Sequence, residues 1–172
     1  HMGEIEITGP DAKKLIQYLV TNDIEPMENN QALYTLMCLE TGGVVDDLLI
    51  YKFSENHYFL CVNASNTDKD FQWILSNAGD FNVSLKNTSQ QTAQFAVQGK
   101  YSEELLQKIC DVPLNEIEYY HFRKAKIHNF ECIMARTGYT GEDGFEVYIN
   151  YQYADLAYKA ILEAGKAFDL QP

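Results

Sequence analysis

Two stretches hold the residue types and spacings best suited to chemistry. Asp46 and Asp47 interrupt an otherwise apolar run, Val44-Val45-Asp46-Asp47-Leu48-Leu49-Ile50. If that run is a strand, neighbouring side chains face opposite ways, so one carboxylate points inward and the other outward. An inward carboxylate is costly without a partner, and the plainer alternative is a strand that begins at Leu48 with both acids in a solvated turn. The second stretch runs from Arg136 through Gly138, Tyr139, Gly141, Glu142, Asp143 and Gly144 into Phe145-Glu146-Val147-Tyr148-Ile149. Glycines at this spacing permit left-handed backbone and close ligand approach. Phosphate fits poorly, because two acids lie in the loop and a strand rather than a helix N-terminus follows it. Calcium needs alternating oxygen ligands, and only two adjacent carboxylates are offered. Two readings stay open: a plain glycine-rich hairpin, or a site for a neutral or donor-rich ligand read by Tyr139 and a carboxylate such as Glu146. Asn63, at the end of an apolar segment, is likewise either a turn former or a ligand contact. His1, His57, His121 and His128 have no metal-like spacing, and no Ser, Cys or Lys has a base beside it in sequence.

Composition narrows the partners. The 172 residues are 46% apolar, enough for one ordinary domain or two small units. Asp and Glu number 25 against 13 Lys and Arg, a net charge of −12, which repels nucleic acid and anionic membrane surfaces. No apolar run approaches the roughly 20 residues of a membrane span, and no signal pattern opens the chain. A soluble chain with neither nucleic-acid nor membrane partners is expected. Cys38, Cys61, Cys110 and Cys132 are widely spaced among apolar residues and read as buried thiols of a reducing compartment. The Asn-x-Ser sequons at Asn63, Asn82 and Asn87 matter only in a secreted protein and are taken as chance.

The elements that must position these residues follow from periodicity. Gly3 to Gly9 alternates as a strand, and Pro10 opens a helix with Ala12, Leu15, Ile16 and Leu19 on one face. Strands are predicted at Ala32 to Leu39, Val44 to Phe53 and His57 to Ala64. Thr67 with Asp70 resembles an N-cap, and Phe71, Ile74, Leu75 and Ala78 form a helical stripe ended by Gly79; a strand at Phe81 to Asn87 follows. The order then begins again: a strand Thr92 to Gly99, a helix from Ser102 with Leu105, Leu106 and Ile109, strands in EYYHFRKAKI and FECIMART, the glycine loop, the strand FEVYIN, and a helix with Tyr153, Ala157, Ile161 and Ala164. Gly9 and Gly99 lie 90 residues apart. The expected class is α+β, a duplicated βα-βββ-α unit with helices on one face of largely antiparallel sheets, divided at 3–87 and 88–172.

Three long segments, ALYTLMCLETGGVVDDLLIYK, FLCVNASNTDKDFQWI and ARTGYTGEDGFEVYI, resemble the glycine-cleavage T-protein family, tetrahydrofolate-dependent aminomethyltransferases. The similarity continues in register through ITGPDA, LVTNDI and YYHFRKAKI. It covers the middle of such proteins, in which three domains surround a folate channel, and stops at Gln171-Pro172 before the C-terminal β domain. The resemblance implies transfer of a one-carbon unit from an aminomethyl group on the lipoyl arm of H-protein to tetrahydrofolate, with release of ammonia and without a metal. By motif, Asp47 matches the catalytic carboxylate, Asp46 is structural, and Glu146 matches the residue that grips the pterin. Asn63, Tyr34, Tyr51, Tyr119 and Tyr139 match pocket contacts, and Leu49 and Cys61 line the channel. The implied setting is a bacterial cytoplasm, or a mitochondrial matrix in a eukaryote, and a fragment lacking the remaining domain is expected to be inactive. Folate domains of sarcosine or dimethylglycine dehydrogenases share the fold. The iron-sulfur maintenance proteins carry a cysteine in the glycine loop that is absent here.

Overall fold

A computed structural model describes residues 2–172; His1 lies outside the described residues. The chain divides into two compact units, His1–Ser89 and Gln90–Pro172. In the first, β1 (Met2–Thr8) leads into α1 (Ala12–Leu19), then β2 (Gln31–Cys38), β3 (Val44–Ser54), β4 (His57–Asn63), α2 (Thr67–Asn77) and β5 (Ser84–Asn87). All pairings are antiparallel, in the order β2-β3-β4-β1-β5. In the second, β6 (Thr92–Gln98), α3 (Ser102–Gln107), β7 (Phe122–Ile127), β8 (Phe130–Ala135), β9 (Gly144–Asn150) and α4 (Ala154–Gly165) form a sheet ordered β6-β9-β8-β7, again antiparallel. With β5 set aside, the two orders are the same. The architecture is α+β, as the periodicity predicts.

The duplication extends to single hydrogen bonds. Gln17 donates to Asn22 O and accepts from Ile24 N (3.0 and 2.8 Å); Gln107 does the same with Val112 O and Leu114 N (3.0 and 2.8 Å). Gly9 and Gly99 both hold positive φ (128° and 114°), as do Asn30 and Tyr120 (68° and 59°). Short bridges Val20–Met37 and Cys110–Ile127 close the same gap in each unit.

Each unit buries one sheet face under its helices. In the first, Ile5, Ile7, Leu48, Ile50, Leu60 and Val62 pack with Ala12, Leu15, Ile16, Leu19 and Ile74. In the second, Val97, Met134, Phe145, Val147 and Ile149 pack with Leu105, Leu106, Ala157 and Ile161. Burial of these aliphatic and aromatic groups supplies the main driving force, about 25 cal/mol per Å2 of apolar surface.

Several local expectations are corrected. The strand predicted from Phe81 starts only at Ser84, because Asn82 N is drawn to Asp11 Oδ2 (3.0 Å). Tyr119 and Tyr120 precede β7 rather than form it, since Tyr120 turns into the left-handed region. Thr67 and Asp70 make no N-cap: the Thr67 hydroxyl donates back to Ala64 O (3.0 Å), and Asp70 is fully buried. Leu75 is exposed, so the inner stripe of α2 is narrower than predicted. Cys38 and Cys110 are half-buried rather than buried, whereas Cys61 and Cys132 are inside. Burial pushes the Cys132 thiol up to about 12, which makes it inert.

The β1–α1 turn depends on Gly9. A Cβ there would lie 2.5 Å from Asn82 O and 2.9 Å from Val83 Cα, both backbone atoms; at Gly99 it would meet only the Glu142 carboxylate, at 3.4 Å. Gly9→Ala is therefore expected to destabilise the chain by about 2 kcal/mol or more, and Gly99→Ala by less. Urea denaturation of the two variants checks the ranking.

Candidate functional site

In the first unit, strand alternation and register collect six of the sequence-predicted residues on one sheet face. Asp47 pairs with Leu36, Leu49 with Tyr34 and Cys61, and Tyr51 with Phe59. Tyr34, Asp47, Leu49, Tyr51, Cys61 and Asn63 therefore share the face opposite the helices. Tyr51 and Cys61 are buried, Leu49, Asp47 and Asn63 half-buried, and Tyr34 exposed.

Asp46 and Asp47 do not lie in a solvated turn, because β3 begins at Val44 and includes both. Asp46 is 4% exposed. The register shift between Met37 and Cys38, which pair with Asp46 and Val44, leaves Val45 as the extra residue of a β-bulge beside the acids. Bulges of this kind re-aim neighbouring side chains.

Asn63 holds both acids and is more than a turn former. Its Nδ2 lies 2.9 Å from Asp46 Oδ1, 2.9 Å from Asp47 Oδ1 and 3.1 Å from Asp47 O, and its backbone N donates to Asp46 Oδ2 at 3.0 Å. Three acceptors converging on one nitrogen set the orientation of the amide. Asn66 Nδ2 adds a further donor to Asp46 Oδ1 (2.7 Å), and the Tyr34 hydroxyl donates to Asp47 Oδ2 (2.8 Å). Burial pushes the Asp46 carboxyl upward, but hydrogen bonds from Asp70, Asn63 and Asn66 outweigh it and hold it below the usual carboxylate range. Asp47 is thus oriented from two sides, by an amide and by a phenol.

In the second unit, Glu146 lies on the face of β9 away from the helices, paired with Ala96 and Ala135. Gln94 Nε2 donates to its Oε1 (2.8 Å), and the hydroxyl of buried Thr137 donates to its Oε2 (2.5 Å). Gln94 Nε2 also reaches Tyr148 Oη at 3.2 Å. The phenol of half-buried Tyr120 is raised by burial, then by Tyr119 and by the Glu146 charge, so Tyr120 stands in the field of that carboxylate. Tyr119 and Tyr139 are instead exposed, Tyr139 completely.

The glycine loop serves the protein's own side chains first. A Cβ at Gly138 or Gly144 would come within 2.1 or 2.3 Å of Gln98 Oε1. Gln98 Nε2 donates to Thr137 O and Phe145 O (both 3.1 Å), tying the two ends of the loop together. Asp143 takes a two-point ion pair from Arg136 (2.9 and 2.5 Å), and Arg136 also meets Glu103 at 3.0 Å. The Arg136 guanidinium depresses the Asp143 carboxyl. This acid is spent on loop closure and not on a ligand.

Sequence reasoning missed Gln94, Thr137, Asn66 and Tyr120. Gln94 is revealed by the β6–β9 register, which sets it beside Glu146, and Thr137 by the loop path that returns its hydroxyl to Glu146. Asn63→Ala removes the donor shared by Asp46 and Asp47 and leaves a buried carboxylate short of partners. The expected cost is about 1–3 kcal/mol of folding stability. Denaturant titration, with Asn66→Ala as the milder comparison, checks it.

Comparison with known proteins places this geometry. The family model described as the GCVT N-terminal domain matches residues 1–172. An aminomethyltransferase of Clostridium botulinum (strain Okra / Type B1) is 51% identical over 173 residues, covering all of this chain and 47% of the relative. One from Caldanaerobacter subterraneus subsp. tengcongensis is 50% identical, with 46% of the relative covered. The chain thus spans about half the length of these curated relatives. Among solved structures, glycine cleavage system aminomethyltransferase T from Bartonella henselae superposes with a TM-score of 0.87 at 26% identity, over 97% of this chain and 44% of that one. A heterotetrameric sarcosine oxidase from Corynebacterium sp. U-96 shares the fold, with a TM-score of 0.74 at 12% identity, over 99% of this chain and 83% of that one. With the family model matched from end to end, the chain belongs to the GCVT N-terminal domain family.

Proposed function

We propose that these residues form the folate-binding part of an aminomethyltransferase of the glycine cleavage system. In this reading the one-carbon unit of an aminomethyl group, carried on the lipoyl arm of H-protein, passes to tetrahydrofolate and ammonia leaves. The observation that carries the proposal is the Asp47 carboxylate, presented on the helix-free sheet face between Tyr34 Oη and Asn63 Nδ2. A carboxylate held by fixed donors is preorganised to stabilise positive charge that develops beside it, and to hold or accept a proton from a ring N–H. Because its donors are already in place, little reorganisation is needed as the charge appears.

Glu146 suits recognition rather than transfer. The pterin edge of a folate presents an amino group and a ring N–H side by side, which match the two oxygens of a carboxylate. Gln94 and Thr137 fix the plane in which those oxygens lie. Leu49, Tyr51 and Cys61 add an apolar floor around Asp47. The names of the relatives at about 50% identity favour aminomethyl transfer over the chemistry of the sarcosine oxidase that shares the fold. The bacterial source of those relatives supports a cytoplasmic setting; among the described residues no helix is long and apolar enough to cross a membrane.

The test needs a protein of the relatives' full length. Asp47→Asn keeps the shape and one acceptor but removes the charge, so folate affinity is expected to stay within about threefold. Ammonia release with aminomethylated H-protein should fall by more than tenfold, about 1.4 kcal/mol of barrier. Turnover within threefold of the unmodified protein would remove Asp47 from the chemistry. Glu146→Ala is expected to act on the other quantity, weakening tetrahydrofolate binding by about 1–3 kcal/mol. Titration calorimetry reads this directly, and an unchanged dissociation constant would place Glu146 outside the site.

A further inference from the structure

Asp70 lies on α2, is 0% exposed, and is unused by the chemistry above. Neither of its carboxyl oxygens receives a hydrogen bond from an N–H or hydroxyl among the described residues. Asp46 lies against the same end of α2, with Asn66 Nδ2 2.7 Å from its Oδ1 and Lys69 Nζ on the neighbouring Val45 O, and after burial it is contact with the Asp46 carboxyl that raises Asp70. Two carboxyl groups share such a contact only if one carries a proton. Asp46 already accepts from Asn63 N, Asn63 Nδ2 and Asn66 Nδ2, a donor set that suits the anion. Asp70 has no comparable set.

We propose that Asp70 is held as the neutral acid and donates its proton to the Asp46 carboxylate, making Asp70 a positioning residue for Asp47 through Asn63. The inference rests on the role assigned to Asp47 under the proposed function. The connection is continuous: the Asp70 hydroxyl to Asp46, the Asn63 amide between Asp46 and Asp47, and the Tyr34 hydroxyl on the far oxygen of Asp47. Asp46 faces the helix side and Asp47 the opposite side, so the shared amide carries the position of α2 through the sheet to the reacting face. Burial is the main reason Asp70 keeps its proton, followed by the hydrogen bond and charge of Asp46, and together these push it up to about 7. The charged groups that face it are Asp46 from β3 and Lys69 from its own helix. Lys69 Nζ lies 3.6 Å away, is half-exposed, and is bonded to Val45 O, so it offsets little of the repulsion.

The sign of the pH dependence follows. A carboxyl whose folded value lies above its unfolded value makes the folded state bind the extra proton, so this contribution to stability is full below about pH 4 and is lost as pH rises through about 7. Glu4, which burial also pushes up to about 7, adds a slope of the same sign, so the Asp70 part must be isolated by substitution.

Carboxyl-carbon NMR of the chain labelled at aspartate is the decisive measurement. One aspartate should titrate near neutral pH, its signal should vanish in Asp70→Asn, and the Asn63 side-chain amide should shift with the same midpoint. Absence of any aspartate titrating above about pH 5.5, persistence of the neutral titration in Asp70→Asn, or an Asn63 amide blind to it would each overturn the proposal. Asp70→Asn keeps a donor to Asp46. In a full-length protein its turnover should stay within about threefold and lose the neutral-pH limb, while Asp70→Ala should lower kcat by tenfold or more at unchanged KM for folate. An Asp70→Asn variant as impaired as Asp70→Ala would also overturn it. The NMR result decides the network and the turnover of Asp47→Asn decides the catalytic reading, so the two can fail separately.

Discussion

The amide of Asn63 is the contact on which the first unit's polar architecture depends. Two consecutive carboxylates in a strand face opposite sides of the sheet, and each needs donors of its own. A single side-chain nitrogen at the end of β4 lies between them, within 2.9 Å of an oxygen of each. Because Asn63 also starts the 3-10 turn that leads into α2, the same residue ties the sheet edge, the helix entry and the outward acid into one unit. Bonds to charged groups are stronger than neutral ones, and this one serves two charges at once.

The two units show how one frame accommodates two different polar sites. Glu4 pairs with Cys61 in the first sheet, and Gln94, 90 residues on, pairs with Tyr148 in the second. On the same alignment Phe59 corresponds to Glu146, and Tyr51, which pairs with Phe59, corresponds to Ala135, which pairs with Glu146. An apolar ring pair in one unit thus becomes a carboxylate beside a small residue in the other. Asn150 occupies the place of Asn63, at the end of the strand before a 3-10 turn, but its side chain caps the turn by accepting from Gln152 N (3.0 Å). The acid on the neighbouring strand, Glu131 of β8, is exposed, and the asparagine returns to its ordinary use.

A chain with a net charge of −12 must place its acids with care, and buried carboxyls here are managed in two ways. Asp46 keeps its charge because N–H donors surround it. Glu4 and Asp70 lack enough donors, and burial shifts both toward the neutral form. Exposed acids near basic groups are used mechanically, as in the pairing of Asp143 with Arg136 that closes the glycine loop.

Element order, the 90-residue repeat and the antiparallel α+β class were legible in the sequence, because amphipathic periodicity depends on local spacing alone. Alternation told only that one of Asp46 and Asp47 would point inward if the strand included both, and left a solvated turn open; β3 does include both. The identity of the inward acid, the bulge at Val45 that aims it, and the presence of Asp70 beneath it were decided only by tertiary packing. Asp70 reads locally as a capping residue; what buries it is the docking of α2 against β1 and β4, a contact no local pattern encodes. The glycine loop shows the same division. Its glycines and acids are evident in the sequence, yet the side chain that fills the space beside Gly138 and Gly144, Gln98, arrives from β6. Side chains distant in sequence compete for the same donors and space, and that competition is settled only when the sheet has formed.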